Sequence, residues 1–258
     1  MRPTLKTSIL VAAMLVLPIA TAAQTTARRK VQADQIPQSI SSVRLARAFV
    51  ADDRLSVLRR GADVKSQMVQ RLRLGRPVYI LGSSRAGADQ PKCYRVAVTR
   101  RTRGWIHNSA VVIPSRAGDD TRLLRLAENA TDGFDRIALC LLLTDSFRSS
   151  PLVPKALLVM AAEAERVAPM LSQRAAKRVA TIAPGTANAS LRDYYLNDSA
   201  LDRYSRLRVG FEFNEAAGEY VYDGGAYRAI IKRFPGSEAA KIARERLKIV
   251  EQELARCE

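Results

Sequence analysis

The apolar pattern of this 258-residue chain changes period once, around Pro114, Ser115 and Gly118, and that change sets what the chain can fold into. Before it lie short strand-like runs separated by turn residues, at 54–58, 68–72, 77–81, 93–98 and 104–107. Five such runs within about 65 residues predict a small barrel or sandwich. Tyr94, Val96 and Val98 alternate with Cys93, Arg95 and Ala97, and Leu55 and Val57 alternate with polar neighbours, so each strand has one face for a core. Gly75 ahead of Pro77 suits a tight turn, and Trp105 has the bulk to fill the centre of a small barrel. After the change the texture is helical. Asp119 or Asp120 is placed to cap the first helix, and breakers follow near Gly133, Pro151, Pro154, Pro184, Gly224 and Pro235. Segment 137–143 is apolar all round, the mark of a central buried helix. The expected fold is α+β and multidomain, with β structure over 46–114 followed by an all-α region over 119–258.

Residues 1–23 begin with Arg2 and Lys6, run apolar over 9–17, and end in Pro18 and the small residues Ala20, Thr21, Ala22 and Ala23. That order is the pattern of a secretory signal peptide, cut after Ala22 or Ala23. The run is short against the roughly 20 residues of a bilayer span, which argues against an uncut anchor. No later stretch approaches that length either, so no transmembrane segment is expected after cleavage. The mature chain is expected in the periplasm or secreted, with 24–45, which carries Arg28, Arg29 and Lys30, as a flexible basic tether.

The net charge of +17 is uneven, since residues 50–113 carry 13 basic and 4 acidic side chains while 114–258 carry 22 and 20. A basic patch suits nucleic acid, anionic glycan or an anionic membrane surface, and the plainer reading is a solvated basic face. Export argues against nucleic acid. Three cysteines follow the leader, Cys93, Cys140 and Cys257, and no C-x-x-C spacing points to zinc or to a redox pair. They read as buried thiols, or as a disulfide between Cys140 and Cys257 with Cys93 left over. No metal or other cofactor is expected.

The segments Val50-Ala-Asp-Asp-Arg-Leu-Ser-Val-Leu-Arg-Arg-Gly61, Val69-x-Arg-Leu-x-Leu-Gly-x-Pro-Val78, Tyr94-Arg-Val96 and Gly104-Trp-Ile-His107 resemble, in order and spacing, the bacterial SH3 (SH3b) domain. The resemblance implies an SH3-like β-barrel over 46–114 that binds cell-wall peptide or glycan, or an extended peptide, in a groove between loops; because 49–113 contains all five strand runs and Trp105, that segment is expected to fold alone. It implies no catalysis. Cys93 stands where the family strand opens with an aromatic residue, which leaves a cationic groove. The expected ligand-binding residues are Arg71, Arg73, Tyr94, Arg95, Arg101 and Arg103. Arg101 and Arg103 are expected to flank the hairpin that presents Trp105 and to grip carboxylates.

Phe147-x-Ser-Ser150-x-x-x-x-x-Ala156 and Phe234-x-Gly-Ser237-x-x-x-x-x-Ala243 align over ten residues, and each leads into a helix. With Tyr227-Arg-Ala-Ile-Ile-Lys-Arg-Phe-Pro-Gly-Ser237 they resemble a tetratricopeptide-like helical hairpin. An irregular helical bundle is the competing architecture, because the two matches lie 87 residues apart and 183–198 interrupts any array. Either architecture offers a face to a protein partner.

Domains of the SH3b type accompany wall hydrolases, and a hydrolase needs an activated nucleophile, a metal cluster or paired carboxylates. Its one histidine, His107, belongs to the β region, and Cys140 has no histidine in its own region to activate it. Glu163 with Glu165 and Glu251 with Glu253 are two apart on expected helices and diverge, while Glu212, Glu215 and Glu219 are spaced to share a helix face. The leading expectation is an exported cell-envelope binding and scaffold protein, not an enzyme. The alternatives are a wall hydrolase using helical carboxylates, and a basic protein that binds anionic polymer nonspecifically.

Overall fold

The computed structural model describes residues 46–84, 92–181 and 191–255, so the leader, the tether, the breaker at Pro184 and Cys257 lie outside the described residues. The chain is α+β, with a sheet region followed by helices. Seven short strands pair antiparallel: β1 (Arg47–Val50), β2 (Val57–Arg59), β3 (Met68–Arg71), β4 (Pro77–Ser83), β5 (Cys93–Ala97), β6 (Arg103–His107) and β7 (Val111–Val112). Their order is β3-β2-β6-β5-β4-β1-β7, which leaves β3 and β7 as edges and the ladder unclosed. The expected runs supply β2 to β6. Strands β1 and β7 carry no run of useful length, yet they hold the far edge of the sheet, Phe49 facing Val112 across their ladder.

The inner face of the sheet carries Val50, Leu58, Val78, Val96, Ile106 and Val111, each almost fully buried. The alternation expected in β5 agrees with Val96 and Val98. In β2 and β6 the burial is one residue out of phase with expectation: Leu58 is buried while Leu55 is exposed, and Ile106 occupies the core while Trp105 does not. The cause in β2 is local. Asp52 accepts the Arg54 N–H at 3.0 Å and Ser56 Oγ donates to Asp53 O at 2.7 Å, so a 3₁₀ turn over Asp53–Leu55 replaces the first half of the expected strand. In β6 the cause is Gly104. A Cβ there would lie 2.6 Å from Arg59 O and 2.8 Å from Leu58 Cγ, so β2 approaches only because the side chain is missing. Gly104→Ala is therefore expected to force β2 and β6 apart and destabilise the fold by about 1–3 kcal/mol in chemical denaturation. An unchanged midpoint would refute this close approach.

The sheet meets the helices at two places. Phe49, Ala51 and Val112 belong to the same apolar cluster as the buried helical residues. Buried Asp119 closes the connection polarly: it accepts the Ile113 N–H at 2.6 Å and the Arg116 Nε and Nη2 groups at 2.8 Å each, and Arg122 stands 3.4 Å away.

The helices are α1 (Asp119–Glu128), α2 (Gly133–Ser146), α3 (Val153–Ala180), α4 (Leu191–Leu196), α5 (Ser199–Ser205), α6 (Gly225–Arg233) and α7 (Glu238–Ala255). Asp132 caps α2 by accepting from Phe134 N and Asp135 N, and no residue from Ile137 to Thr144 is exposed. Helix α3 packs on α2, on α6 and on a β-hairpin. The two aligned motifs form matching corners. Phe147 and Phe234 end α2 and α6 with N–H bonds to Leu143 O and Ile230 O, and each phenylalanine carbonyl accepts the N–H of Ser150 or Ser237. None of the described helices is long and apolar enough to cross a membrane.

The second half is not all-α. Strands β8 (Phe211–Asn214) and β9 (Glu219–Tyr222) form a hairpin with Phe211 opposite Tyr222 and Phe213 opposite Tyr220. Its residues alternate with period two, and Gly218 takes φ +69° in the turn. Aromatic contacts hold it to α4 and α5: Tyr195 stacks on Phe213 at 4.3 Å, and Tyr204 meets Phe211 edge-on at 5.6 Å. Glu212, Glu215 and Glu219 thus occupy a hairpin and its turn, and share no helix face. Of the two readings of the cysteines, the pairing of Cys140 with Cys257 has its second residue outside the described residues, and Cys140 takes the form of the other reading. Cys140 is a free thiol buried in α2, and desolvation pushes its pKa up to about 12.

Candidate functional site

Residues directly opposite each other on neighbouring strands share a face of the sheet. Arg59 of β2 stands opposite Trp105 of β6, and Trp105 stands opposite Arg95 of β5. Strand spacing then separates the backbones of the two arginines by about 10 Å, with the indole between them. Because Gly104 and Ile106 are buried, this row lies on the outer face. A second row on the same face runs Arg47, Tyr79, Ala97, Arg103. Tyr79 in that row is exposed, as are Leu55, Val64 and Met68 close to the first row. Cationic and apolar groups are interleaved over one surface.

Beside Trp105 is a pocket of about 120 Å³. Its apolar walls come from Leu55, Val57, Ala62, Val64 and Cys93, and Arg54, Arg59 and His107 complete it. Cys93 lies directly opposite His107 in the ladder. The Cys93 thiol donates to Ala62 O at 3.3 Å, and burial raises its pKa despite the opposing pull of the Arg59 charge. It therefore forms part of a wall at neutral pH and is not held as a thiolate. His107 Nδ1 accepts the Ser109 N–H at 3.1 Å, which leaves Nε2 as the ring's N–H donor. Arg59 donates from Nη1 to Ser66 O at 2.8 Å, so its planar group is positioned before any ligand arrives.

Of the residues expected to bind ligand, Arg95 and Arg103 lie on this outer face with Trp105. Arg71, opposite Val57, also belongs to it, but its guanidinium donates to Asp53 O at 2.8 Å. Arg101 is exposed in the turn between β5 and β6, and Arg73 is exposed between β3 and β4. None of the six expected residues lines the pocket itself. Tyr94 packs on the opposite, inner side, and its hydroxyl accepts from Arg116 Nη1 at 3.0 Å. It braces the junction and takes no part in the groove. Sequence reasoning passed over Arg59, Val57, Cys93 and His107 as site residues and placed Trp105 in the core. The signal available was the glycine at 104, whose missing side chain fixes which face Ile106 and Trp105 take.

Of the carboxylate pairs expected on helices, Glu163 and Glu165 are both engaged. Glu163 meets Arg136 and Arg166, and Glu165 accepts from Tyr227 OH at 2.6 Å and pairs with Arg246. No family model, no curated protein and no solved structure matches this chain.

Proposed function

We propose that the chain is an exported, non-catalytic binding protein of the bacterial cell envelope. In this reading the sheet region is an SH3-like module that holds wall peptide or glycan. The helical region, with its repeated corners at Phe147 and Phe234, is a tetratricopeptide-like or bundle scaffold for a protein partner. The observation that carries the reading is Trp105. A lone tryptophan placed on the outer face between Arg59 and Arg95, beside a pocket, is an arrangement suited to recognition, since aromatic and arginine side chains dominate binding energy where they are brought together. The leader pattern at 1–23 supports export, and the four motif segments support the SH3-like assignment.

Co-sedimentation of the mature chain with insoluble peptidoglycan tests this. Binding is expected to persist within a few-fold when salt rises from 50 to 200 mM, because the apolar pocket is insensitive to screening. Loss by a factor of 1,000 or more over that interval is the behaviour of a purely electrostatic polymer binder, and would replace this reading with that one.

A further inference from the structure

We infer that the pocket beside Trp105 recognises a free carboxylate adjoining a small aliphatic side chain, the chemistry of a peptide C-terminus, and does not bind a sugar ring. The inference rests on the binding role just proposed and narrows it to a ligand class.

The pocket lining is rich in hydrogen-bond donors. The polar side chains around the pocket are Arg54, Arg59, Cys93, Trp105 and His107. Guanidinium, indole N–H and the imidazole Nε2–H are donors, and among the described residues no carboxylate, amide or hydroxyl side chain lines the pocket. Sugar hydroxyls must donate as well as accept, and a lining of this kind gives their protons few acceptors. A carboxylate only accepts, so it satisfies such a lining completely.

Charge points the same way. Arg59 and Arg54 both border the space, and no acidic residue among the described ones does. Arg54 is held loosely, 3.6 Å from Asp52 and with most of its side chain in solvent. Arg59 is half-buried and tied to Ser66 O, which makes it the stronger anchor for a bidentate carboxylate.

Size narrows the ligand further. At about 120 Å³ the pocket is smaller than the roughly 150 Å³ cavity that accommodates benzene, so it admits a group of a few carbons and not a substituted pyranose. Leu55, Val57, Ala62 and Val64 give that group an apolar surround.

Trp105 is the sole tryptophan, so its emission reports on the pocket directly. The full chain would be titrated with N-acetyl-alanyl-alanine as free acid, with the corresponding C-terminal amide, and with an N-acetylglucosamine tetramer. The expected result is a saturable change with the acid, at least tenfold weaker binding of the amide, and no saturation with the sugar. Arg59→Gln should remove at least tenfold from acid binding and leave the amide unchanged. Arg59→Lys, which keeps the charge and the stem, should fall between them, with circular dichroism verifying the fold of both. Equal binding of acid and amide, tighter binding of the sugar, or no response to the acid overturns the inference. If peptidoglycan still sediments the chain in that event, the binding role stands and only the ligand class falls. If sedimentation also fails, both fall.

Discussion

Glu163→Ala is expected to lower the unfolding free energy by about 3 kcal/mol. Glu163 is 3% exposed and sits between Arg136 Nη1 at 2.6 Å and Arg166 Nη2 at 2.5 Å, joining α2 to α3. Removing the carboxylate leaves Arg136, which also donates to Ala130 O and Ala127 O, without its anion at the helix interface. The effect falls at the lower end of the range for a broken buried pair because Arg166 is about half exposed and can turn to water. Gly133 is part of the same contact, since a Cβ there would lie 2.2 Å from Glu163 Oε1. The pH dependence has a definite sign. Desolvation raises the Glu163 pKa, but the hydrogen bonds from Arg166 and Arg136 outweigh it and hold the group below the usual glutamate value. The unfolded chain therefore takes up this proton more readily than the folded one. The stabilisation is complete above the ordinary value of about 4.3 and is lost as pH falls below it through the folded pKa. The alanine variant should lose this part of the acid limb, and denaturation midpoints across pH 3–7 in which both proteins fall in parallel would contradict it.

Trp105→Ala is expected to abolish most wall binding, by roughly 30-fold or more, while leaving the chain folded. The asymmetry follows from its place in β6. Its neighbours Gly104 and Ile106 form the packed side of the strand, while the indole is half-buried on the other side between Arg59 and Arg95. Ile106→Ala should do the reverse, costing about 2–5 kcal/mol of stability, because Ile106 is 1% exposed. Paired denaturation and sedimentation measurements on the two variants separate recognition from folding. Severe unfolding of Trp105→Ala would return Trp105 to the core.

The positions of β2 to β6 were legible because the turn residues around Gly75 and the alternation of Tyr94, Val96 and Val98 are local signals. Strand phase was not, in two places. In β2 the side chains of Asp52 and Ser56 compete for backbone groups and convert two residues of strand into a turn. In β6 the size of Trp105 suggested a core role, whereas the approach of β2 to Gly104 decides the orientation, and that approach is a long-range fact. The hairpin of β8 and β9 was hidden for another reason. Phe211 to Asn214 and Glu219 to Tyr222 alternate correctly for strands, but each is four residues long and is enclosed by helical sequence. The corners at Phe147 and Phe234 were visible because capping is written in adjacent residues. The candidate site was half legible: charge pointed to Arg95 and Arg103, but Arg59 and His107 join them only through strand register.

The most direct measurement on the proposed site is amide shift mapping of the isotopically labelled chain titrated with soluble wall peptide fragments. The expected result is that the largest shifts fall on 54–64, 93–95 and 103–107 and on the Trp105 indole N–H. Shifts confined to α3, α6 and α7, with those residues unmoved, would contradict it and place recognition on the helices.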